Sequence, residues 1–423
     1  MNTVPSLKTY KGNNKVILLN TDTCRFIRLP ESLYQKKMQE GEAFYEEINT
    51  NFKMFDDTVS LKGNGMKSVY FALTKKCNLN CPFCSMNSNP EVDDRWDMDF
   101  NKITDIVIPK LRKLDLKKII VTGGEPMLRK DVLSVLKAFS EAFGREKLIL
   151  QSNGLLLKET IIPELSGYIG SIEISIENLF SNPALMKRME KVFFAIKKAG
   201  ICLAFSFVVD RESYLYLKEA IELCNLYQAV FEIRFVAPLG RALTEEKIFS
   251  ESEILQMYRE AISYIMDNEY YTNNLAGIFM PKLQAAAGCG GYGKLLSIQP
   301  EGKLYMCSNI RETVCDLGNI LTDSVDEILT KWNEKLKEKQ IKDMFLVGEK
   351  EICSQCSVKY FCTGPCAAES MQDSPDFKRI CGLNRIFLQF MMFYYEGKRS
   401  LKENLYCLMD YLNTCNGKSE RKY

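Results

Sequence analysis

The sequence predicts an α/β protein whose main part is a parallel β-sheet, followed by a cysteine-rich segment. From residue 66 to about residue 245, short runs of β-branched residues alternate with amphipathic stretches of helical period. Such alternation is typical of βαβ units, in which helices connect parallel strands. The chain also has 16 cysteines and no histidine. Without a secretory signal, grouped cysteines indicate metal binding rather than disulfide bonds.

The elements of the predicted sheet follow one another in regular order. The predicted strands are 68–73, 118–122, 147–151, 171–176, 202–209 and 230–236, and the predicted helices lie near 98–114, 130–143, 184–199, 213–227 and 251–267. In barrels built from such units, the active site forms at the loops that follow the strands. Most of the cysteines and polar residues that mark a possible site before residue 245 lie in those loops.

A small α+β segment is predicted ahead of the sheet, in residues 1–65. The apolar runs 16–19 and 24–29 flank a turn-like stretch, which is typical of a β-hairpin. A helix is expected to begin near Pro30 and to continue to about Glu47.

Length and composition exclude several classes of protein. The chain has 423 residues, 46% of them hydrophobic, which is enough for a large core in two or three domains. A net charge of +2 favours neither a nucleic acid nor a membrane surface as partner. Residues 1–10 lack the apolar core of a signal peptide, and no apolar run is long enough to span a bilayer. A cytoplasmic location is therefore expected.

Three cysteines follow the first strand of the sheet with the spacing C-x3-C-x2-C. They are Cys77, Cys81 and Cys84. Thiolates are the ligands that iron–sulfur clusters require, and three of them can hold a [4Fe–4S] cluster while one iron has no protein ligand. A zinc site and three unrelated core cysteines are the alternatives. Zinc normally takes four ligands, and its commonest partner beside cysteine, histidine, does not occur in this chain.

This spacing, with Phe83 directly before the third cysteine, resembles the radical S-adenosylmethionine (radical SAM) superfamily. The resemblance implies a partial (β/α)6 TIM-like barrel over residues 66–285. It also implies that the three cysteines bind a [4Fe–4S] cluster and that S-adenosyl-L-methionine (SAM) chelates the open iron. Reductive cleavage of SAM would then yield a 5′-deoxyadenosyl radical that abstracts hydrogen from a substrate.

A glycine-rich turn follows the second strand of the sheet, at Gly123-Gly124-Glu125-Pro126. Two glycines let the backbone approach a ligand closely, and a carboxylate can accept hydrogen bonds from an ammonium group. Placed one βα unit after the cysteine loop, the turn matches the glycine-rich motif of radical SAM proteins. The resemblance implies that Gly123, Gly124 and Glu125 bind the methionine amino group of SAM.

Further SAM contacts are implied at the ends of later strands. The residues that match the family's positions are Phe83, Ser152, Asn153, Ser175 and Arg188. The chain has Glu177-Asn178 where Asp-Gly is usual, and this leaves the role of Glu177 open. Lys187 is an alternative to Arg188. Polar residues that cap the following helices would give the same pattern.

The last strand of the predicted barrel carries an arginine and leads into a turn. A charged residue on an apolar strand usually forms an ion pair, and we expect this for Arg234. The stretch Pro238-Leu239-Gly240-Arg241-Ala242 resembles a turn common in part of the superfamily.

A second group of cysteines lies between residues 286 and 385. Its members are Cys289, Cys307, Cys353, Cys356, Cys362, Cys366 and Cys381. Their order and spacing resemble the SPASM domain of radical SAM enzymes, which carries two auxiliary [4Fe–4S] clusters. The resemblance implies that Cys353, Cys356, Cys362 and Cys381 hold one cluster, and that Cys289, Cys307 and Cys366 hold the other with one iron open. Cys315 is the nearest spare thiol, and a pair of zinc ribbons is the alternative.

The combined resemblance implies an enzyme that modifies peptides or proteins oxidatively. The expected substrate is a ribosomally made precursor peptide, crosslinked through a thioether or a carbon–carbon bond, with a ferredoxin or flavodoxin as electron donor. An anaerobic sulfatase-maturing enzyme that forms formylglycine is the first alternative, and a non-catalytic iron–sulfur scaffold is the second. Without histidine, a general base would have to be a carboxylate, tyrosine or lysine, and no catalytic residue is assigned.

The two ends of the chain complete the expected organisation. The strand–strand–helix order of residues 1–65 is similar to a leader-peptide-binding domain in reduced form, and a cap on the barrel is the alternative. Residues 386–423 are expected to form helices packed on the rest of the protein, followed by a polar tail.

Overall fold

The computed structural model describes residues 6–56, 65–243, 249–372 and 379–415. Its strands are β1 (Leu7–Gly12), β2 (Lys15–Asn20), β3 (Phe26–Pro30), β4 (Ser68–Ala72), β5 (Lys118–Thr122), β6 (Leu148–Ser152), β7 (Ser171–Ser175), β8 (Cys202–Val209), β9 (Val230–Phe235), β10 (Leu295–Ile298), β11 (Lys303–Tyr305) and β12 (Asp316–Asn319). Its α-helices are α1 (Glu31–Met38), α2 (Glu42–Phe52), α3 (Phe100–Lys102), α4 (Ile108–Leu111), α5 (Val132–Phe143), α6 (Ile162–Leu165), α7 (Pro183–Lys198), α8 (Leu217–Tyr227), α9 (Glu251–Asp267), α10 (Val325–Lys335), α11 (Lys339–Phe345), α12 (Lys359–Cys362), α13 (Ala367–Ser370), α14 (Arg379–Phe393) and α15 (Leu401–Thr414). The predicted polar tail, residues 416–423, lies outside the described residues.

The centre of the molecule is a nine-stranded sheet in the order β12-β11-β10-β4-β5-β6-β7-β8-β9. Strands β4 to β9 pair in sequence order, and every pair is parallel. This arrangement confirms the predicted α/β class and the six-stranded partial barrel. Parallel pairing follows from the helical connections, which return the chain to the same end of the sheet before each new strand.

Strands β4 to β9 have one face against helices and one face turned inward. Toward the helices, Phe71 contacts Phe139 of α5 with ring centroids 5.2 Å apart, and Phe205 contacts Phe193 of α7 at 4.7 Å. These side chains are fully buried, and burial of each contributes about 1.5–3 kcal/mol. The alternate residues face the barrel interior, because successive side chains of a strand point to opposite faces.

The cysteine-rich region continues the barrel sheet. Strand β10 pairs in parallel with β4, and β11 and β12 extend the sheet with antiparallel pairs. The first barrel strand is therefore an inner strand of the larger sheet, with the cysteine-rich region on one side and β5 on the other.

The amino-terminal segment is a three-stranded meander, β1-β2-β3, rather than a single hairpin. Strand β1 was not predicted, because its polar residues show little apolar alternation. All four residues Val16–Leu19 of β2 are buried because the two faces of the sheet are covered by different partners. One face packs on Phe44 and Ile48 of α2, and the other packs on the cysteine-rich region and α14. The segment is thus placed against the cysteine-rich region and α14, and it also borders residues 273–283.

Most predicted strand bounds agree with the structure to within one residue, and the helices differ more. The helix predicted from Pro30 to Glu47 is broken into α1 and α2 at Gly41, which has φ +61°. The helix predicted near 98–114 contains a π-helical turn at Ile103–Val107. Pro109 lies two residues after the last residue of this turn and has no N–H to donate, which interrupts regular helical bonding.

Candidate active site

The cysteine loop lies at the carboxyl end of β4, where the predicted barrel would have its active site. Cys77 is buried, and Cys81 and Cys84 are half-buried, as is Phe83 between them. The loop folds back on itself, since Cys84 N donates to Cys81 O at 3.2 Å and Cys77 N donates to Asn89 O at 3.1 Å. The three thiols are therefore held on one short stretch of backbone.

The glycine-rich turn after β5 packs directly on the start of this loop. Gly124 N donates to Thr74 O at 2.7 Å, and Glu125 N donates to Lys76 O at 2.9 Å. A Cβ atom at Gly123 would lie 2.3 Å from Thr74 O, and one at Gly124 would lie 2.1 Å from Lys76 O. No side chain fits in that space. The two glycines are thus required by the contact between the turn and the cysteine loop, whatever ligand the turn binds.

The Glu125 side chain ties the turn to the end of β6. It is fully buried, and its carboxylate accepts hydrogen bonds from Met127 N at 2.9 Å, Ser152 Oγ at 2.9 Å and Asn153 N at 2.8 Å. Burial raises the pKa of Glu125, while these hydrogen bonds oppose the rise. A carboxylate has about four acceptor positions, so one remains for an ammonium group.

Asn153 completes the connection back to the cysteine loop. Its Nδ2 donates to Asn78 Oδ1 at 2.8 Å and lies 3.8 Å from Cys77 Sγ. Leu79 N also donates to Cys77 Sγ, at 3.4 Å. Hydrogen bonds to a sulfur stabilise the thiolate form that a metal requires.

Four of the remaining cysteines surround one cavity in the cysteine-rich region. The cavity has a volume of about 180 Å³ and is lined by Cys353, Cys356, Cys362 and Cys381, the set expected for one auxiliary cluster. The cationic side chains of Lys359 and Arg385 also line it. In the described parts of the chain, no three cysteine or acidic side chains are gathered tightly enough to hold a single metal ion.

The other expected set is also brought together. The pKa of Cys307 is raised to about 11, mainly by burial and further by the charges of Cys366 and Cys289. Cys315 is fully buried, and burial together with the charges of Cys307 and Cys289 raises its pKa to about 12. Met306 N donates to Cys315 O at 3.0 Å, so the chain passes Cys315 beside the Cys307 segment. These sulfur donors fit iron–sulfur clusters, which cysteine thiolates hold.

Comparison with known families agrees with this arrangement. The family model of the radical SAM superfamily matches residues 71–224, and the model of the SPASM iron–sulfur cluster-binding domain matches residues 289–357. The chain therefore contains a radical SAM domain followed by a SPASM domain. These domains bring a SAM-binding [4Fe–4S] cluster, auxiliary clusters and SAM as cofactors.

Two sequence relatives are named GTP 3′,8-cyclase. A GTP 3′,8-cyclase of Clostridium perfringens is 24% identical over 319 residues, which are 67% of this chain and 97% of the relative. One of Aquifex aeolicus is 24% identical over 325 residues, with the same coverage.

The fold resembles two solved structures. Streptococcus suis SuiB bound to S-adenosylmethionine gives a TM-score of 0.56 at 16% identity, covering 88% of this chain and 97% of SuiB. The protein anSMEcpe with bound AdoMet and Cp18Cys peptide gives 0.53 at 15% identity, covering 82% and 98%. At these identities the likeness shows the fold.

In the radical SAM domain, the end of β7 also reaches the cysteine loop. Asn178 Nδ2 lies 3.9 Å from Cys81 Sγ. Glu177 is buried, and burial raises its pKa to about 7, above the usual value of 4.5. Glu177 is also close enough to Cys81 to raise the pKa of that thiol. Glu177, whose role the sequence left open, therefore lies at the site. Ser175, the last residue of β7, is half-buried.

Arg188 binds backbone of the loop that follows β6. From α7, its guanidinium donates to Leu155 O at 2.9 Å and to Leu157 O at 3.2 Å. This loop begins at Asn153, so Arg188 helps to hold Asn153 in place.

Two arginines that the sequence analysis did not assign hold the cysteine loop of the radical SAM domain. Arg129 donates to Leu73 O at 3.1 Å and to Met98 O at 2.8 Å, at the two ends of the loop. Arg241 donates to Cys81 O at 2.9 Å and to Ser88 O at 2.8 Å. The turn Pro238–Ala242 was the sequence feature that could have indicated the role of Arg241. For Arg129, the only such feature was its position close to the glycine-rich turn.

A polar network lies on the inner face of the barrel. Arg234 binds Glu173 at 2.9 Å and Glu232 at 2.6 Å, which confirms the expected ion pair. Gln151 Nε2 donates to Glu173 at 3.1 Å. Tyr70 of β4 lies on the same face, and both this network and Cys307 influence its pKa, which burial raises. Burial raises the pKa of Glu173, so the network offers one carboxylate that can take up a proton within the barrel.

The first prediction concerns the three hydrogen bonds of Glu125. In Glu125→Gln, the amide nitrogen cannot accept hydrogen bonds from the N–H and O–H groups that now donate to the carboxylate. Leaving a buried donor unpaired costs about 1–3 kcal/mol, so we expect lower thermal stability. Loss of a charge-assisted hydrogen bond to the ammonium group should also weaken SAM binding, by roughly 5- to 100-fold. Glu159→Gln, at an exposed position, is the control. Unchanged SAM affinity, measured by equilibrium dialysis under anaerobic conditions, would contradict this role for the carboxylate.

The second prediction concerns pH. Because the folded-state pKa of Glu177 is raised, folded protein binds more protons than unfolded protein between about pH 4.5 and 7, and the stability that Glu177 contributes falls as pH rises through that window. Glu177→Gln should be more stable than the parent at pH 8 by about 2–3 kcal/mol, with the difference vanishing below pH 4.5. Urea unfolding of the cluster-free protein at several pH values measures this, with exposed Glu91→Gln as control. A pH-independent difference would show that ionisation of Glu177 is not its source.

Proposed function

We propose that this radical SAM/SPASM protein is a peptide maturase that crosslinks a ribosomally made precursor peptide through a thioether or carbon–carbon bond. The observation that carries the proposal is the place of Cys307 beside the barrel sheet. Cys307 lies two residues after β11, and the strand register joins Tyr305 of β11 through Ser297 of β10 to Tyr70 on the inner face of β4. An auxiliary cluster held by Cys289, Cys307 and Cys366 would border the barrel interior, where the cysteine loop also opens. An oxidative crosslink needs an electron acceptor in that position.

The residue roles follow from the contacts at the site. Cys77, Cys81 and Cys84 would hold the SAM-binding cluster, and Gly123, Gly124 and Glu125 would form the SAM amino site beside it. Ser152, Asn153 and Ser175 would supply polar contacts at the strand ends, with Phe83 in the cysteine loop and Arg188 as a support. Crosslinking removes two hydrogens, so the chemistry that these groups supply when bound is one hydrogen-atom abstraction and acceptance of one further electron, with the second proton passing to a base.

A peptide is the preferred substrate because the structural neighbours include peptide complexes. SuiB has been solved bound to the precursor peptide SuiA, and anSMEcpe to the Cp18Cys peptide. A low-potential ferredoxin or flavodoxin is the electron donor we propose, in keeping with the superfamily.

The amino-terminal segment, residues 1–65, would bind the leader part of the precursor. Strand β3 is an edge strand of the small sheet and borders a groove of about 500 Å³. The groove is lined by Phe26 and Arg28 of β3 and by residues 280–283, with Met391 and Leu401 opposite. An edge strand beside a groove can bind an extended peptide through backbone hydrogen bonds. In the domain organisation proposed here, residues 66–285 form the barrel, 286–385 the SPASM domain and 386–423 the terminal helices and tail.

Two other substrates remain as alternatives. The sequence relatives named GTP 3′,8-cyclase span 67% of the chain and favour GTP as the second candidate. Formation of formylglycine in a sulfatase is the third, and a carboxylate such as Glu173 would then have to serve as base.

The experiment that tests the proposal uses anaerobically reconstituted full-length protein with SAM and dithionite. One reaction receives the small peptide encoded beside the gene, and another receives GTP. 5′-Deoxyadenosine together with a peptide lighter by two hydrogens supports the crosslinking maturase. Conversion of GTP without change in the peptide would replace it with the cyclase, and deoxyadenosine with neither product would direct the search to sulfatase-derived peptides. Iron-loaded protein that forms no deoxyadenosine would indicate a scaffold.

Cysteine variants separate the roles of the clusters. Cys81→Ala should abolish deoxyadenosine formation, because the SAM-binding cluster would lose a ligand. Cys356→Ala should reduce crosslinked product more than deoxyadenosine, since only the auxiliary cluster is affected. Cys202→Ala, an exposed thiol on β8, should leave both unchanged. Equal losses of crosslinked peptide and deoxyadenosine in Cys356→Ala would show that this cluster has a structural role.

The groove beside β3 is tested by binding of a fluorescent leader peptide. Lys282 lies exposed on the rim of the groove, so Lys282→Glu reverses a charge without disturbing a packed residue. We expect the affinity for the leader to change by roughly 5-fold or more, with exposed Lys113→Glu as the matched control. Equal affinities for the two variants would place the leader elsewhere.

A further inference from the structure

Arg311 joins the cysteine loop of the barrel to the cysteine-rich region. It lies in the segment between β11 and β12, and its guanidinium donates to one backbone carbonyl of its own segment and to one of the distant cysteine loop. Nη2 donates to Ser308 O at 3.0 Å, and Nη1 donates to Ser85 O at 3.4 Å. Ser308 directly follows Cys307, and Ser85 directly follows Cys84. One side chain therefore fixes the residue after a cysteine in two of the three expected clusters.

The charge of Arg311 is largely buried between these loops. Burial lowers its pKa, and the acidic groups that oppose this are Cys84 first, then Cys307, Glu312 and Tyr305. An arginine remains protonated in proteins, so the cation stays in place. Its Nε is buried and has no hydrogen-bond partner among the described residues. A buried cation is costly unless anionic groups compensate for it.

Both cysteine loops would supply that compensation once they carry clusters, because cluster binding requires thiolates. Cys84 and Cys307 are the first two acidic groups acting on Arg311, and they belong to different expected clusters. The positive charge of Arg311 would then act on both clusters at once.

The contacts of Arg311 differ from those of the other two arginines at the cysteine loop. Arg129 donates to the two ends of that loop and pairs with Asp131, whose oxygens lie 2.7 and 2.9 Å from its nitrogens. Arg241 donates to Cys81 O and Ser88 O, both within the loop. Arg311 alone of these three also binds the segment that carries an auxiliary cysteine.

We propose that Arg311 is a positioning residue that fixes the SAM-cluster loop against the first auxiliary-cluster loop and that its buried charge raises the reduction potentials of both clusters together. The inference rests on the cluster assignments of the proposed function and is independent of the substrate. A nearby cation stabilises the reduced, more negative cluster, and charge and hydrogen bonding near a cluster set its potential.

The test is a redox titration of anaerobically reconstituted full-length protein, followed by electron paramagnetic resonance, with iron content as a second readout. In Arg311→Met, which removes the charge at similar length, the potentials of the clusters at Cys77/Cys81/Cys84 and at Cys289/Cys307/Cys366 should both fall. The potential of the cluster at Cys353/Cys356/Cys362/Cys381 should not move. Arg311→Lys keeps the charge and should restore both potentials to near the parent values.

Lys350→Met is the matched control. This lysine is buried, donates to Pro365 O at 2.8 Å and acts on Cys353, so its removal should lower only the potential of the four-cysteine cluster. If Arg311→Met does not take up iron, Arg311→Gln, which keeps amide donors without charge, replaces it with the same expectation.

The outcomes are distinct. Two unchanged potentials in the uncharged Arg311 variant, or an equal fall of all three, would overturn the inference. Failure of the parent protein to bind iron at these cysteines would instead overturn the proposed function.

Discussion

The contact between the glycine-rich turn and the start of the cysteine loop is the constraint on which the site depends. Two backbone hydrogen bonds join them, and the space between the two backbones has no room for a Cβ atom. This contact fixes where Cys77 leaves the sheet. The buried Glu125 carboxylate then relates the same turn to β6, so that three successive strand ends are held in one arrangement by hydrogen bonds to a single motif.

Arginine side chains outside the glycine-rich turn also hold this arrangement. Arg129 and Arg241 bind carbonyl oxygens of the cysteine loop, and Arg188 binds those of the loop after β6. A loop with three cysteines has few apolar side chains with which to pack, so its backbone must be held by donors from neighbouring elements. Long arginine side chains can reach several carbonyls at once, and their positive charge suits a site that holds anionic clusters.

Much of the fold follows from local patterns in the sequence, and the contacts within the site follow less well. The strands β4 to β9 were predicted because β-branched runs alternate with amphipathic helices, and the cysteines were grouped by their spacing. The roles of Arg129, Arg241 and Arg311 were not predicted, because each binds a backbone oxygen of a segment far away in the chain. Every residue has a carbonyl oxygen, so the sequence does not show which one an arginine binds. The break at Gly41 and strand β1 were missed because polar residues obscure the pattern. The pairing of β10 with β4 could not be inferred, since parallel pairing over more than 200 residues has no local signature.

The pairing of β10 with β4 has a mechanical consequence. A hinge between the barrel and the cysteine-rich region would have to break a ladder of backbone hydrogen bonds inside a continuous sheet, so the two regions form one rigid frame on that side. Electron tunnelling falls steeply with separation, and a frame of this kind keeps the spacing between redox centres constant while substrates enter and leave. Exchange of the carboxyl-terminal region between homologous proteins would therefore succeed only if β10 were transferred in register with its new neighbour.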